Sequence, residues 1–432
     1  MTGLIKTKYH LKALCCDTTF EDRNWELNCP NQHAPSLIRA IYDQKQLELK
    51  PLAMGLYRFA NWLPVERALN GSGAPVTYKS EGLAKEIGLQ NLYITFNGYW
   101  PEKGALMKTG TFKECEAFSV CARINQSKGK VMVVASAGNT ARAFARVCSE
   151  NNIPVLICIP YDNIQALWFD QELNPCVKIV AVERGADYFD AIHLSNIACE
   201  IDGFFPEGGA KNVARRDGMG TTVLSAVTTI GEIPEYYFQA IGSGTGAIAA
   251  WEANLRFIED GRYGNRLMKL VLSQNAPFLP IKEAWDARSP QMLPIDDTLA
   301  RKQVEEIDAK VLSNRKPPYS IKGGLFDALS ECGGEIMAVT NDESRQANKL
   351  FQLTEGNDLE PAAACAVASL IKAVNDETLN PESVVMLNIT GGGIKKFQQE
   401  NKIVMAKPIK VFAINEDPDN IKNEIKSLFE GQ

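Results

Sequence analysis

The chain has 432 residues, 45% of them hydrophobic and 23% charged, with a net charge of −6. That length predicts two or three domains rather than one core. The negative balance excludes a whole-chain electrostatic footprint for nucleic acid, but it allows a local basic pocket for small anions.

The N-terminus, MTGLIKTKYH, lacks the apolar core of a signal peptide. No apolar run approaches the roughly 18 residues of a membrane helix. Eleven cysteines without framework spacing predict reduced thiols and a cytoplasmic location. Cys15, Cys16, Cys29 and His33 lie close in sequence. Zinc needs four well-placed ligands, and paired C-x-x-C spacings are missing, so no metal is expected. His10, His33 and His193 show no nucleophile-base pattern.

Gly104–Phe118 reads GALMKTGTFKECEAF, with Lys108 and Lys113 on either side of a T-G-T-F turn. Thr111 and Glu114 fit a T-x-x-E capping box, and Ala117, Phe118, Cys121 and Ala122 keep helical spacing. Lys113 is therefore expected in the first turn of a helix. The helix dipole there disfavours a second positive charge and favours the neutral amine of a Schiff-base nucleophile. A solvated surface lysine is the plain alternative. Cys115 is expected to pack.

Strand-like VMVVAS runs into Ser136-Ala137-Gly138-Asn139-Thr140, where the helix NTARAFARVCSEN begins. Bare backbone at a helix N-terminus suits a carboxylate, and the Asn139 amide is able to donate to a ring oxygen. Alternatively, Asn139 or Thr140 only caps the helix. VLICIP, a helix-like segment and VKIVAV follow. YYFQAI then leads into Gly242, Ser243, Gly244, Thr245 and Gly246, ahead of GAIAAWEANLRFIE. This turn suits phosphate but lacks the G-K-[ST] of a phosphate loop and the full dinucleotide fingerprint. LMKLVLS is the next strand, and 286–297 and 313–324 read as loops. The helix-like PAAACAVASLIKAV precedes SVVMLNIT, which ends at Thr390 before three glycines. A hydroxyl there is able to meet the edge of a flat heteroaromatic ring; a plain loop is the alternative. Strand, glycine turn and helix in repeated order predict an α/β protein with parallel sheets flanked by helices and ligands at the strands' carboxyl ends.

The order T-G-T-F-K, S-A-G-N-T, G-S-G-T-G, T-G-G-G resembles the tryptophan-synthase-β-like, fold type II pyridoxal-phosphate enzymes, and among them the threonine synthases and their relatives. YRFANWLP near residue 57, AKNVARRDGMGTT and TEGNDLEPAAACAVASL extend the likeness to nearly the whole chain. The resemblance implies a two-domain fold, with 1–113 and 232–432 forming a larger cofactor domain and 114–231 a smaller inserted one. It implies pyridoxal 5'-phosphate carried by Lys113, its ring hydroxyl at Asn139, its phosphate in the turn Gly242, Ser243, Gly244, Thr245, Gly246, and its ring nitrogen at Thr390. Ser136, Ala137, Gly138 and Thr140 would hold the substrate carboxylate. A neutral hydroxyl at the ring nitrogen favours elimination and replacement over transamination.

Departures from the threonine synthase pattern are Lys108 for the usual Pro, Cys115 for Arg, Gly220 for Lys, and the loop FNGYWPEKG; Arg215 matches the family's arginine. With these the chain is similar to the cysteate synthase group, which joins O-phospho-L-serine and sulfite into cysteate and phosphate for coenzyme M formation. Two anionic substrates imply converging cations, with Lys103, Lys108, Arg215 and Arg216 as candidates. Remaining alternatives are threonine synthesis from O-phosphohomoserine and water, phosphoserine-dependent cysteine synthesis with sulfide, and a non-catalytic cofactor-binding protein. The resemblance also implies a homo-oligomer.

Overall fold

Two parallel sheets organise the computed structural model, which describes residues 6–23, 25–31, 33–50, 53–123 and 130–430. The larger sheet has six strands, in the order Glu335–Val339, Lys269–Asn275, Tyr236–Ala240, Val384–Ile389, Asn91–Phe96 and Val76–Lys79. Neighbours pair in parallel except the last two. The smaller sheet has five parallel strands, in the order Phe204–Pro206, Val131–Ala135, Val155–Pro160, Val177–Val182 and Lys410–Phe412. Its central strands read as unbroken apolar runs because both faces are covered, and Val155–Pro160 is buried at every residue. This is the α/β architecture of parallel sheets expected from the repeated strand–turn–helix order.

The helix Asn139–Asn151 falls where the sequence places it. The stretch after Pro160 does not form the expected α-helix. It makes a 3-10 turn, Tyr161–Ala166, and a short strand, Trp168–Phe169. That strand pairs antiparallel with Val404 and Met405, so a partner more than two hundred residues away decides its conformation. The C-terminal segment thus returns first in this separate two-stranded ribbon and then in the smaller sheet, where Lys410–Phe412 pairs beside Val177–Val182. We propose a division into a larger and a smaller unit along these two sheets. In it the smaller unit takes in this return as well as 114–231.

A three-stranded antiparallel sheet, Thr19–Phe20, Tyr9–Ala13 and Ile38–Tyr42, is pinned to the helix Val213–Ile230. The fully buried Arg216 donates to Glu252 at 2.8 Å and to the carbonyls of Ala210 and Ile38. Arg39 holds the other Glu252 oxygen at 3.0 Å. Losing one member of such a buried set strands the rest. Arg216→Ala is expected to cost about 3–5 kcal/mol of stability. Arg216→Lys should recover little, because one ammonium does not reproduce the guanidinium fork. Denaturant melts of the two variants check this, and a lysine variant as stable as the parent would refute it.

Candidate active site

Three strands of the two sheets end on one cavity of about 960 Å³. Val131–Ala135 leads into Ser136, Tyr236–Ala240 into Gly242, and Val384–Ile389 into Thr390; all three turns line the cavity, as expected for parallel sheets. Lys113 lines it too, as the first residue of the helix Lys113–Arg123. Its turn is tied to the third strand end. Phe112 N–H donates to the Thr390 carbonyl at 2.9 Å, and Thr111 bridges to Gly391.

Lys113 Nζ donates to Glu116 Oε2 at 3.1 Å, one helical turn on. Glu116 is fully buried. Its other oxygen accepts the Thr140 hydroxyl at 2.9 Å and pairs with Arg215 Nη2 at 3.1 Å. Arg215 Nη1 reaches Glu207 Oε2 at 2.6 Å. Four charges thus alternate in sign, with Lys113 and Arg215 on the cavity wall and Glu116 and Glu207 behind it. Desolvation pushes the Lys113 amine below the ordinary lysine value; Glu116 opposes that shift, and Arg215 adds to it. Burial pushes the Glu207 carboxyl up, with Arg215 opposing.

The capping box expected at Thr111 does not form. Glu114 Oε2 instead accepts the Thr109 N–H and hydroxyl at 2.8 and 2.9 Å, and Oε1 pairs with Arg146 at 2.5 Å. The Thr111 hydroxyl is buried without a partner. Lys113 still sits in the first turn, but buried ion pairing holds the helix start. Cys115 packs as expected, and burial pushes its thiol up.

Neither Asn139 nor Thr140 caps its helix. Ser136 Oγ accepts the Gly138 and Ala141 N–H groups at 3.0 Å each, which leaves its own proton free to donate. Asn139 Nδ2 donates to Glu360 at 2.6 Å while Arg142 donates to Asn139 Oδ1 at 2.9 Å. The amide is therefore fixed, with one N–H left over. Burial raises the Glu360 carboxyl; Asn139, Arg142 and Lys113 oppose it.

In the second turn glycine is required by packing behind the loop. A Cβ at Gly242 would meet Leu312 Cα at 2.9 Å, and one at Gly246 would meet Gln239 Nε2 at 2.9 Å. Gly244 has φ +76 and caps the helix Thr245–Asp260. The backbone lies bare against the cavity at a helix N-terminus, an anion-binding arrangement. Ser243 and Thr245 hydroxyls bond each other at 2.8 Å.

Of the four expected cations, only Arg215 lines the cavity. Lys108 lies outside that lining, and its Nζ turns to Asp170 at 2.8 Å, with Glu150 at 3.9 Å. Lys103 lies over the Tyr78 ring at 3.8 Å. Arg216 is the buried pin described above. Cations that do line the wall are Lys211, Arg301, Lys310, Arg315 and Lys316. Arg301 and Arg315, from the segment between the strands Lys269–Asn275 and Glu335–Val339, both pair with Asp187 at the head of the helix Tyr188–Ala198, and all three line the cavity. Sequence reasoning missed Glu116, Glu207 and Glu360. Glu116 was within reach, because i and i+3 share a helix face; Glu207 is eight residues from Arg215 but off any shared helix, and Glu360 is 221 residues from Asn139.

A sequence profile of the family described as pyridoxal-phosphate dependent enzyme matches residues 76–391. The cysteate synthase of Methanosarcina acetivorans is 46% identical over 402 residues, covering 93% of this chain and 96% of that one. The cysteate synthase of Methanocella paludicola is 48% identical over 402 residues, covering 93% of each. Among solved structures, maize serine racemase superposes with a TM-score of 0.56 at 16% identity, covering 76% of this chain and 92% of that one. The T.th. threonine deaminase gives 0.53 at 16%, covering 73% and 91%. At that identity the likeness is one of fold alone.

The ion chain makes two predictions of opposite sign. Without its carboxylate partner, Lys113 in a Glu116→Gln variant should become neutral at lower pH; in Arg215→Met it should do so at higher pH. The pH dependence of Lys113 acylation in cofactor-free protein, followed by peptide mass spectrometry, reads both. Equal midpoints in parent and variants would show that neither group governs the amine.

Proposed function

This chain belongs to the pyridoxal-phosphate dependent enzyme family, and from that premise we propose that it makes L-cysteate and phosphate from O-phospho-L-serine and sulfite. The observation that carries the reading is the meeting of Lys113, Asn139, the Gly242–Gly246 turn and Thr390 on one cavity. The cysteate synthases are similar over nearly the full length of both chains.

These residues fit the cofactor. The Lys113 amine is shifted towards its neutral, nucleophilic form. The Gly242–Gly246 turn, whose glycines let its backbone pack closely, lies bare at the head of the helix Thr245–Asp260. Asn139 keeps an N–H for a ring hydroxyl, and Thr390 supplies a hydroxyl for a ring nitrogen. Bound pyridoxal phosphate supplies an electron sink for loss of the Cα proton.

Lys113 then takes the Cα proton and later returns it to the same carbon. Glu116 balances the ammonium in between, and Thr140 and Arg215 keep that carboxylate from turning away. The Cβ–O bond breaks with its electron pair leaving on phosphate, and the sulfite sulfur supplies the pair for the new Cβ–S bond. No net proton is gained or lost at carbon. Ser136 and the backbone of Ala137 and Gly138 hold the substrate carboxylate; Thr140, whose hydroxyl is committed to Glu116, shapes that turn from behind. The cations of the wall draw in the two anions, in place of Lys108.

No helix among the described residues is long and apolar enough to cross a membrane. All eleven cysteines are free thiols, which supports a cytoplasmic enzyme; association of its subunits is part of the same reading.

Incubation with phosphoserine and sulfite should release phosphate and cysteate in equal amounts. Faster phosphate release from O-phosphohomoserine alone, or sulfide displacing sulfite, would overturn the assignment. Borohydride reduction and peptide mapping should place the cofactor on Lys113, and Lys113→Ala should lose the label and roughly 10²–10⁴-fold in turnover.

A further inference from the structure

Three thiols meet outside the cavity's lining. Cys15 and Cys16 lie in the turn after Tyr9–Ala13, and Cys29 lies in the loop leading back to Ile38–Tyr42. Their sulfurs all fall within 4.8 Å of one another. Cys15 and Cys16 are 3.8 Å apart, and Cys16 and Cys29 are 3.6 Å apart. Thiolates bound tetrahedrally to zinc at about 2.3 Å stand about 3.8 Å from each other, the edge of that tetrahedron. A disulfide would bring a pair to about 2.0 Å. Polar hydrogens face the sulfurs as well: Asn31 N–H lies 3.5 Å from Cys29 Sγ, and the Asn31 amide lies 3.8 Å from Cys16 Sγ. Donors of this kind stabilise a thiolate.

We propose that Cys15, Cys16 and Cys29 bind one divalent ion of the zinc class through three thiolates. The missing C-x-x-C pairs argued against metal in the sequence, but the turn places adjacent Cys15 and Cys16 on one side of the cluster and the returning loop brings Cys29 to the other. Three protons leave as the ion binds. Water or the exposed imidazole of His33, four residues past Cys29, completes the fourth position.

The site clips a loop that backs the active-site wall. Between Cys16 and Cys29, Asp22 pairs with Arg123 at 2.7 Å, and Trp25 Nε1 donates to the Pro206 carbonyl at 2.9 Å. Asn28 accepts from Lys211 at 2.8 Å. Leu27 lies so close to Gly208 that a Cβ there would meet it at 2.6 Å. Pro206–Lys211 is the segment that carries Glu207 and the cavity-lining Gly208 and Gly209. The ion therefore holds that wall from behind, and the inference stands independently of which reaction the cavity performs.

The test is the metal content of the full-length holoenzyme, grown with added zinc and purified under reducing conditions. Elemental analysis should find about one zinc per chain. Titration with a mercurial should release it as three thiols are consumed. Co²⁺ exchanged into the site should give the near-ultraviolet thiolate-to-cobalt absorption of a tetrahedral site. Chelation should speed amide exchange in 22–31 and 206–211 and leave 384–389 unchanged. A Cys16→Ser/Cys29→Ser variant should hold less than about a tenth of the parent's zinc. Should that variant not fold, the titration and exchange arms decide the matter on the parent protein. Parent protein with no zinc and no cobalt absorption overturns the proposal, as does a mapped Cys16–Cys29 disulfide.

Discussion

Charge buried in one helix dictates much of this architecture. Every residue of Lys113–Arg123 except Lys113 is buried, yet the helix carries Glu114, Glu116 and Arg123. An unpaired charge in such surroundings costs several kcal/mol, so each must find an opposite partner. The three partners come from three different parts of the chain. Glu114 takes Arg146 from the helix Asn139–Asn151, Glu116 takes Arg215 from Val213–Ile230, and Arg123 takes Asp22 from the N-terminal segment. Neutralising one buried helix therefore brings together the elements that wall the cavity.

The same burial sets the chemistry of the lysine. Desolvation and Arg215 depress the amine, and Glu116 restores part of its basicity. That balance suits the two roles the proposed reaction gives this one amine, nucleophile and base. Folding stability bears the cost. Glu207 and Glu360 have raised carboxyls, so their contribution is most favourable at low pH and is lost as pH rises from the ordinary carboxylate range through the raised values. Lys113, being depressed, contributes less as pH falls below the ordinary lysine value towards its own. Near neutrality these three groups all oppose folding, and the apolar cores of the two sheets must outweigh them.

What the sequence disclosed follows from how locally each feature is determined. Apolar runs and glycine turns are set by their own residues, so the strands around Val131, Tyr236 and Val384 and the helix from Asn139 were legible. So was the gathering of three glycine turns at strand ends, once parallel sheets were expected; that the Lys113 turn joins them was implied by the resemblance alone. Side-chain destinations were not. Thr111 and Glu114 satisfy a capping pattern, but Glu114 lies beside Arg146 and Thr109, and a buried ion pair outweighs a cap worth about 1 kcal/mol. Lys108 is five residues from Lys113, yet the intervening turn sends it towards Asp170. Trp168 and Phe169 are a strand only because Val404 and Met405 lie beside them.

The N-terminal segment shows how a site depends on residues that never touch its contents. Of its described residues only Leu37 lines the cavity. Yet Asp22, Trp25, Asn28 and Ile38 each bond to the elements that carry Glu116, Glu207 and Arg215. Arg215 is clamped between two carboxylates, one on a buried helix and one on the Pro206–Lys211 turn. A rigid helix holds Glu116 in place by itself, whereas a turn with two adjacent left-handed glycines, Gly208 and Gly209, does not fix Glu207. The N-terminal loop supplies that missing stiffness. Movement of the turn would lengthen the Glu207–Arg215 contact first, and the freed guanidinium would then compete with Lys113 for Glu116. The basicity of the Lys113 amine is thus coupled, through two ion pairs, to the packing of a segment that lies almost wholly outside the cavity.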